Sequence, residues 1–411
     1  MTRKILAAAA AAGAAAILTA VAPAGPATAA PAPAATQAAQ VQQQVTGKHA
    51  ERLCAHAAKK TVASCYAEVL VNDSTDLAPR AAAPVSSAKT PAQIQSAYKL
   101  TGKKSGGRTV AIVDAYGYPN LERDLGVFRS QYGLSSCTKA NGCLKVVNQT
   151  GGTSLPSTDV GWAGEQALDV DAVSAACPDC KIVVVQANSS SITDLGKATQ
   201  TAAKQSGVAA ISNSYGGGDL SDSQFGTYYN HPGIAVTAST GDDGYQGASY
   251  PASSSYVTAV GGTSLSASSS SRGWTESAWS GAGSGCSSSN AALSAASSYD
   301  TGCSKRAMAD VSAAADPSAG GLSVYYPTSA SSSTWGQIGG TSESAPIVAA
   351  VYALSGNTSG YANAKPYATP SGLFDVTTGS NGSCSPVQRC SAGSGYDGPT
   401  GLGTPNGTSA F

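Results

Sequence analysis

The sequence predicts an α/β fold, a largely parallel sheet with helices on both faces. Three observations carry this. Thr109 to Asp114, Lys181 to Gln186, Val208 to Ser214 and Gly233 to Ala238 are short apolar runs that read as buried strands. Helical stretches alternate with them, at Asn120 to Tyr132 and Ile192 to Gln205. Glycine-rich turns follow two strands, at Gly216-Gly217-Gly218 and Gly241-Asp242-Asp243-Gly244. Continuous apolar strands separated by helices are the pattern of a parallel sheet covered on both sides. In such sheets the working residues gather at the carboxyl ends of the strands.

In chain order, Thr2-Arg3-Lys4, an alanine-rich apolar run from Ile5 to Val21 and the small-residue site Ala27-Thr28-Ala29 read as a secretory signal peptide over residues 1–29. Residues 30–89 are expected to be a propeptide with its linkers. The flanks are Ala/Pro-rich, and the piece from 48 to about 73 holds two cysteines and the strand-like run Tyr66 to Val71. The main body, 90–411, opens on Thr90-Pro91, which starts a short helix ending near Leu100. No later stretch is apolar for long enough to cross a bilayer. Lys and Arg balance Asp and Glu at 24 each, which argues against nucleic acid or a membrane surface as partner.

Ten cysteines in an exported chain argue for disulfides, and they fall as close neighbours: Cys54 and Cys65, Cys137 and Cys143, Cys177 and Cys180, Cys286 and Cys303, Cys384 and Cys390. Pairing of neighbours is expected, though the sequence leaves connectivity open. Cys177-Pro178-Asp179-Cys180 has the spacing of a redox or zinc half-site, but no second such motif or paired histidine accompanies it.

Chemistry points first to Gly339-Gly340-Thr341-Ser342-Glu343-Ser344-Ala345-Pro346. The glycines permit a sharp turn, and Pro346 opens an Ala-rich helical run. Ser342 is thereby expected to stand exposed at a helix start, beside free backbone N–H groups, as a nucleophile facing an oxyanion would. A serine N-cap without chemistry is the plainer alternative. A histidine base is scarce. His49 and His56 lie in the propeptide region, and His231 sits in a turn before a strand. The alternative base is a carboxylate. Glu165 and Asp169 are four apart on a helical stretch and share a face, so their ionisations oppose one another. Asp171 lies on another face and reads as a surface or structural acid. Asp242, in the turn after a strand, can stabilise an oxyanion if it carries a proton.

These segments together resemble the sedolisin family, serine-carboxyl peptidases with a subtilisin-like fold. The resemblance runs from about Thr90 to the C-terminus. It implies Ser342 as nucleophile, Glu165 as general base, Asp169 as its support and Asp242 at the oxyanion. Ser214, Tyr215 and Gly216 would line the substrate cleft and pair with substrate backbone. Phe374-Asp375-Val376-Thr377 and Gly393 to Gly403 resemble the family's calcium loop. That implies one structural Ca2+ held by Asp375 and Asp397 with carbonyls of Val376, Gly393 and Gly395.

The implied protein is a secreted monomer, made as a zymogen, that hydrolyses peptide bonds through an acyl-enzyme at acidic pH. Endopeptidase and tripeptidyl-peptidase activity are both compatible with these motifs. Two features depart from the family pattern: the N-terminal module is short, and Glu343 is charged where a small or apolar residue is usual. Two other readings are an inactive binding protein on the same fold and a hydrolase using His231.

Overall fold

The computed structural model describes residues 47–73, 82–357 and 359–411, all within one compact unit, Thr46–Phe411. The expected signal peptide and the linker stretches 30–46 and 74–81 lie outside the described residues.

Strands β1 (Lys48–Arg52), β2 (Ser64–Cys65) and β3 (Glu68–Asn72) come first. The central sheet follows, with β4 (Thr109–Ala115) in the middle, parallel to β6 (Lys181–Ala187) on one side and β7 (Val208–Asn213) on the other. β5 (Leu144–Asn148) extends it past β6. Past β7, and beyond the two-residue β8 (Tyr215–Gly216) in sequence, come β9 (Ala235–Ser239) and β10 (Thr258–Ala267), both parallel. β11 (Trp274–Ala278) closes that edge antiparallel. After the β12 (Gly285–Cys286) and β13 (Ala307–Met308) pair, β14 (Val311–Ala314) also joins β10 in parallel.

β4 alternates across the sheet. Val110 and Ile112 enter one core, while Ala111 and Val113 enter the other. Helices α1 (Pro91–Ala97), α2 (Leu121–Gln131), α3 (Val160–Ala176) and α5 (Thr341–Ser355) add apolar residues to the first core, and α4 (Ile192–Ala203) to the second. The starts have local causes. Thr90 and Gln93 form a reciprocal capping box on α1, and Asp159 caps α3 through Trp162 N–H at 3.0 Å. Both α3 and α5 are buried all round, so neither carries an amphipathic stripe for the sequence to display.

Residues 47–73, set apart by composition, are packed into this body. β1 and β3 pair with each other, and β3 adds to β16 (Ser333–Gly339), which pairs with β15 (Leu322–Pro327) in a four-stranded antiparallel sheet. β2 pairs antiparallel with β8. All five neighbouring cysteine pairs form disulfides, and Cys177–Cys180 is therefore no free redox or zinc motif. Among the described residues no helix is long and apolar enough to cross a membrane.

Candidate active site

Helix α5 begins at Thr341, five residues before Pro346, so the proline lies inside the helix. A proline has no N–H to give to the carbonyl four residues back. Here that carbonyl belongs to Ser342, and it accepts instead from Ser214 Oγ at 3.4 Å. Gly340, at φ +99°, turns the chain from β16 into α5. An added Cβ there would overlap the Tyr66 carbonyl oxygen and meet Asp242 Oδ2 at 2.5 Å. Ser342 thus sits in the first turn, and its Oγ donates to Ser214 O at 3.2 Å. Contrary to the expected exposure, it is fully buried. Residues Tyr66 and Ala67 lie over it. The Tyr66 N–H donates to Ser342 Oγ at 3.2 Å, and the Ala67 N–H donates to Glu165 Oε2 at 2.8 Å.

Glu165 and Asp169 share the inner face of α3 and are both fully buried. Asp169 Oδ1 accepts from Ser214 Oγ at 2.8 Å, which ties α3 to the link between β7 and β8 beside Ser342. A third buried acid, Asp114 near the end of β4, joins them. Burial raises the Glu165 carboxyl well above the usual carboxylate range, and the Asp114 charge adds to it. The Ala67 amide, and the Ser342 hydroxyl close by, offset part of that rise. Asp169 is raised by burial, then by Asp114 and Glu165, and Asp114 by burial. Several carboxyls in one dry space cannot all ionise, so the cluster stores protons beside the serine. Asp114 was visible in the sequence only as an acid closing an apolar strand.

Asp242 reaches the same space from the turn after β9. Its Oδ1 accepts from Thr341 N–H at 2.8 Å and from Thr341 Oγ1 at 2.7 Å, while Oδ2 has no partner. Burial first, and then the Glu68 charge, push its pKa well up. A protonated Oδ2 is an available donor next to a backbone carbonyl. Tyr215 and Gly216 do pair with an extended backbone, that of the chain's own Cys65 and Ser64.

Two other acids are buried as well. Asp171 is buried, where it accepts from Tyr325 N–H at 3.4 Å, so it is structural and not a surface acid. Glu343 is fully buried, and burial raises it, with the Leu322 amide and Lys89 opposing. His231 is half-buried with Nε2 against Tyr228 O at 2.9 Å, and burial lowers its pKa. His49 pairs with Asp73 at 2.6 Å on an exposed strand. Neither histidine contacts Ser342.

The residues expected to hold calcium lie together beside the pairing of Leu373–Phe374 with Thr404–Pro405. Gly395 N–H donates to Asp375 Oδ2 at 2.9 Å, and Gly393 N–H to Asp397 Oδ2 at 3.2 Å. Asp397 Oδ1 also accepts from Thr400 N–H and Oγ1, each at 2.9 Å. Burial pushes Asp397 up to about 7. Among the described residues no Lys or Arg forms an ion pair with either aspartate, and no group of three metal-binding side chains occurs. Two carboxylates without a cationic partner fit a hard cation in chemistry, although Gly393 and Gly395 turn N–H groups toward them here, in place of the expected carbonyl ligands.

Residues 157–371, from the start of α3 past the helix that carries Ser342, match the subtilase family model. The chain belongs to the subtilase family. Within that family it is similar to kumamolisin of Bacillus sp. (strain MN-32), at 30% identity over 360 residues, which are 78% of this chain and 62% of kumamolisin. The chain thus spans less than two thirds of that relative's length. A shorter match, 44% over 77 residues, joins it to tripeptidyl-peptidase sed1 of Aspergillus fumigatus, covering 17% of this chain and 12% of that protein. Among solved structures it is similar to a Pseudomonas sedolisin, a serine-carboxyl proteinase complexed with two molecules of pseudo-iodotyrostatin, with a TM-score of 0.65 and 25% identity over 78% of this chain and 95% of the other. The subtilase fold here is of the sedolisin type.

Proposed function

We propose that this subtilase is a secreted serine-carboxyl peptidase. It hydrolyses peptide bonds of protein or peptide substrates through a Ser342 acyl-enzyme, with an optimum in mild acid. The observation that carries this is a peptide unit lying against Ser342, Glu165 and Asp242, its N–H donating to Glu165, its preceding residue's N–H to Ser342, and its carbonyl oxygen sharing the space over Gly340 with Asp242 Oδ2. In this reading Ser342 Oγ attacks the carbonyl as Glu165 takes the hydroxyl proton. Asp169 acts through Ser214 on the α5 start, and its charge opposes that of Glu165, which keeps a proton on one of the two. Protonated Asp242 donates to the developing oxyanion, aided by N–H groups of the helix start. Glu165 then passes its proton to the leaving amine, and water repeats the cycle.

The chemistry needs Glu165 ionised, its proton held by Asp114 or Asp169 in the shared buried cluster, while Asp242 keeps its own, and acid supplies those protons. Asp375 and Asp397 would hold a Ca2+ ion. Bound there, it would neutralise their charge and brace the loop, with no part in the chemistry.

The test is hydrolysis of a mixed peptide set by the secreted protein from pH 2 to 9. Ser342→Ala and Glu165→Gln should each lower kcat/KM by about 10³-fold or more. Activity that survives Glu165→Gln would remove the proposed base.

A further inference from the structure

After Tyr215 the chain continues through Gly216, Gly217 and Gly218, and the three alternate as strand residues do. Gly216 faces the cleft, where Ser64 pairs with it, and Gly218 N–H donates on the same side to Lys60 O at 3.0 Å. Gly217 faces away. Its N–H donates to Tyr250 O at 2.9 Å, and its carbonyl accepts from Tyr250 N–H at 3.4 Å. Three successive residues without side chains have nothing to pack and much backbone freedom to lose. Their shape has to be imposed from outside.

The next residue, Asp219, does this with both carboxylate oxygens. Oδ1 accepts from Ser253 Oγ at 2.9 Å and from Ser287 Oγ at 2.8 Å. Oδ2 accepts from Ser288 N–H at 2.7 Å and from Ser288 Oγ at 2.9 Å. A carboxylate has about four lone-pair sites and no donor, which matches four converging donors. Among the described residues no Lys or Arg forms an ion pair with Asp219.

The donors come from two separate segments. Ser253 lies just after Tyr250, the residue that backs Gly217. Ser287 and Ser288 follow Cys286, whose disulfide with Cys303 closes a loop. Asn290 laces the same segments together. Its amide donates to Leu220 O and Ser253 O, each at 2.9 Å, and its Oδ1 accepts from Asp222 N–H at 2.7 Å. Ser253, Ser287 and Asn290 are all buried, so the clamp has a firm base. None of the Asp219 partners is a reacting group.

We infer that Asp219 is a positioning residue for substrate, holding the glycine edge in place before the acyl side of a peptide pairs with it. This rests on the serine-carboxyl reading of the site. Ser64, opposite Gly216, stands two positions before Tyr66, whose N–H meets Ser342 Oγ. A substrate in that register reaches Gly216 with its third acyl-side residue. Asp219 therefore acts on how the third residue and those beyond it bind, and not on the bond being cut.

The secreted protein and its Asp219→Ala and Asp219→Asn variants are given one peptide in three lengths at acidic pH. The lengths place two, three or four residues on the acyl side of the cut bond, which is checked by product mass. The parent is expected to gain about tenfold in 1/KM from the third residue. Asp219→Ala should reduce that gain to less than about twofold, with kcat at each length within about twofold of the parent. Asparagine keeps one oxygen for Ser288 but turns an N–H₂ toward Ser253 and Ser287, so Asp219→Asn should fall between the two. It also keeps the side-chain volume, and so carries the test if the alanine variant folds poorly.

Variants that keep the parent's length dependence, or that lose kcat equally on all three peptides, would overturn the inference while leaving the peptidase reading standing. So would a parent that gains nothing from the third residue. No hydrolysis of any peptide by the parent at any pH would overturn both.

Discussion

Asp242 presents its two oxygens to two different tasks. Oδ1 takes both hydrogen bonds from Thr341, and Oδ2 faces the Tyr66 carbonyl region without a partner. Asparagine could keep the first role with its carbonyl and serve the second with its N–H₂, which donates at every pH. Asp242→Asn is therefore expected to retain measurable activity and to move the alkaline limb of the pH–rate profile upward. An unchanged alkaline limb would mean that Asp242 ionisation does not set it. Serine, Glu165, Asp169 and Asp242 were all legible as residue types at telling spacings. Asp114 was not singled out, because nothing within a few residues of it marks a partner. Its partners come from α3, about fifty residues further on.

Among the elements, β2 and β3 cover the site. They hold the Cys65–Ala67 stretch from both sides, and Cys54–Cys65 closes the loop that leads into it. A disulfide of this loop size restricts the released chain and is worth about 2–3 kcal/mol. Replacing Cys54 and Cys65 by serine should shorten the latency before peptide hydrolysis begins. A lag as long as the parent's would show that strand pairing alone holds the segment. The sequence marked 48–73 as a separate module from its flanking Ala/Pro composition. Composition reports solvation of the flanks and says nothing of which strand edge will accept β3.

For the whole molecule, the buried acids set the response to pH. Asp114, Glu165, Asp169, Asp171, Asp242 and Glu343 are all raised, each chiefly by burial. A raised folded-state pKa means that the folded protein holds protons the unfolded chain releases from about pH 4 upward. Their contribution is fully present below that pH and is lost as pH rises toward the folded values. Tm is accordingly expected to be higher near pH 4 than near pH 7.5. The reverse order would mean these groups are ionised in the folded protein. Calcium at a hundredfold excess over its Kd should add about 2.7 kcal/mol to stability, read as a rise in Tm, and Asp397→Asn should abolish the response. No calcium-dependent rise in the parent protein would remove the ion.

By itself the sequence determined what is local: the apolar strands of a parallel sheet, the helix start at Thr90-Pro91, the four-residue spacing of Glu165 and Asp169, and the closeness of neighbouring cysteines. These depend on contacts within a turn or a short loop, so a few adjacent residues carry them. Only the tertiary structure decided that Ser342 is covered, that Glu343 and Asp171 are buried, and that residues 64–69 thread the cleft. Those facts rest on contacts between distant parts of the chain, such as Tyr66 N–H to Ser342 Oγ across 276 positions. Burial is a property of what packs over a residue, and no pattern in its own neighbourhood encodes that.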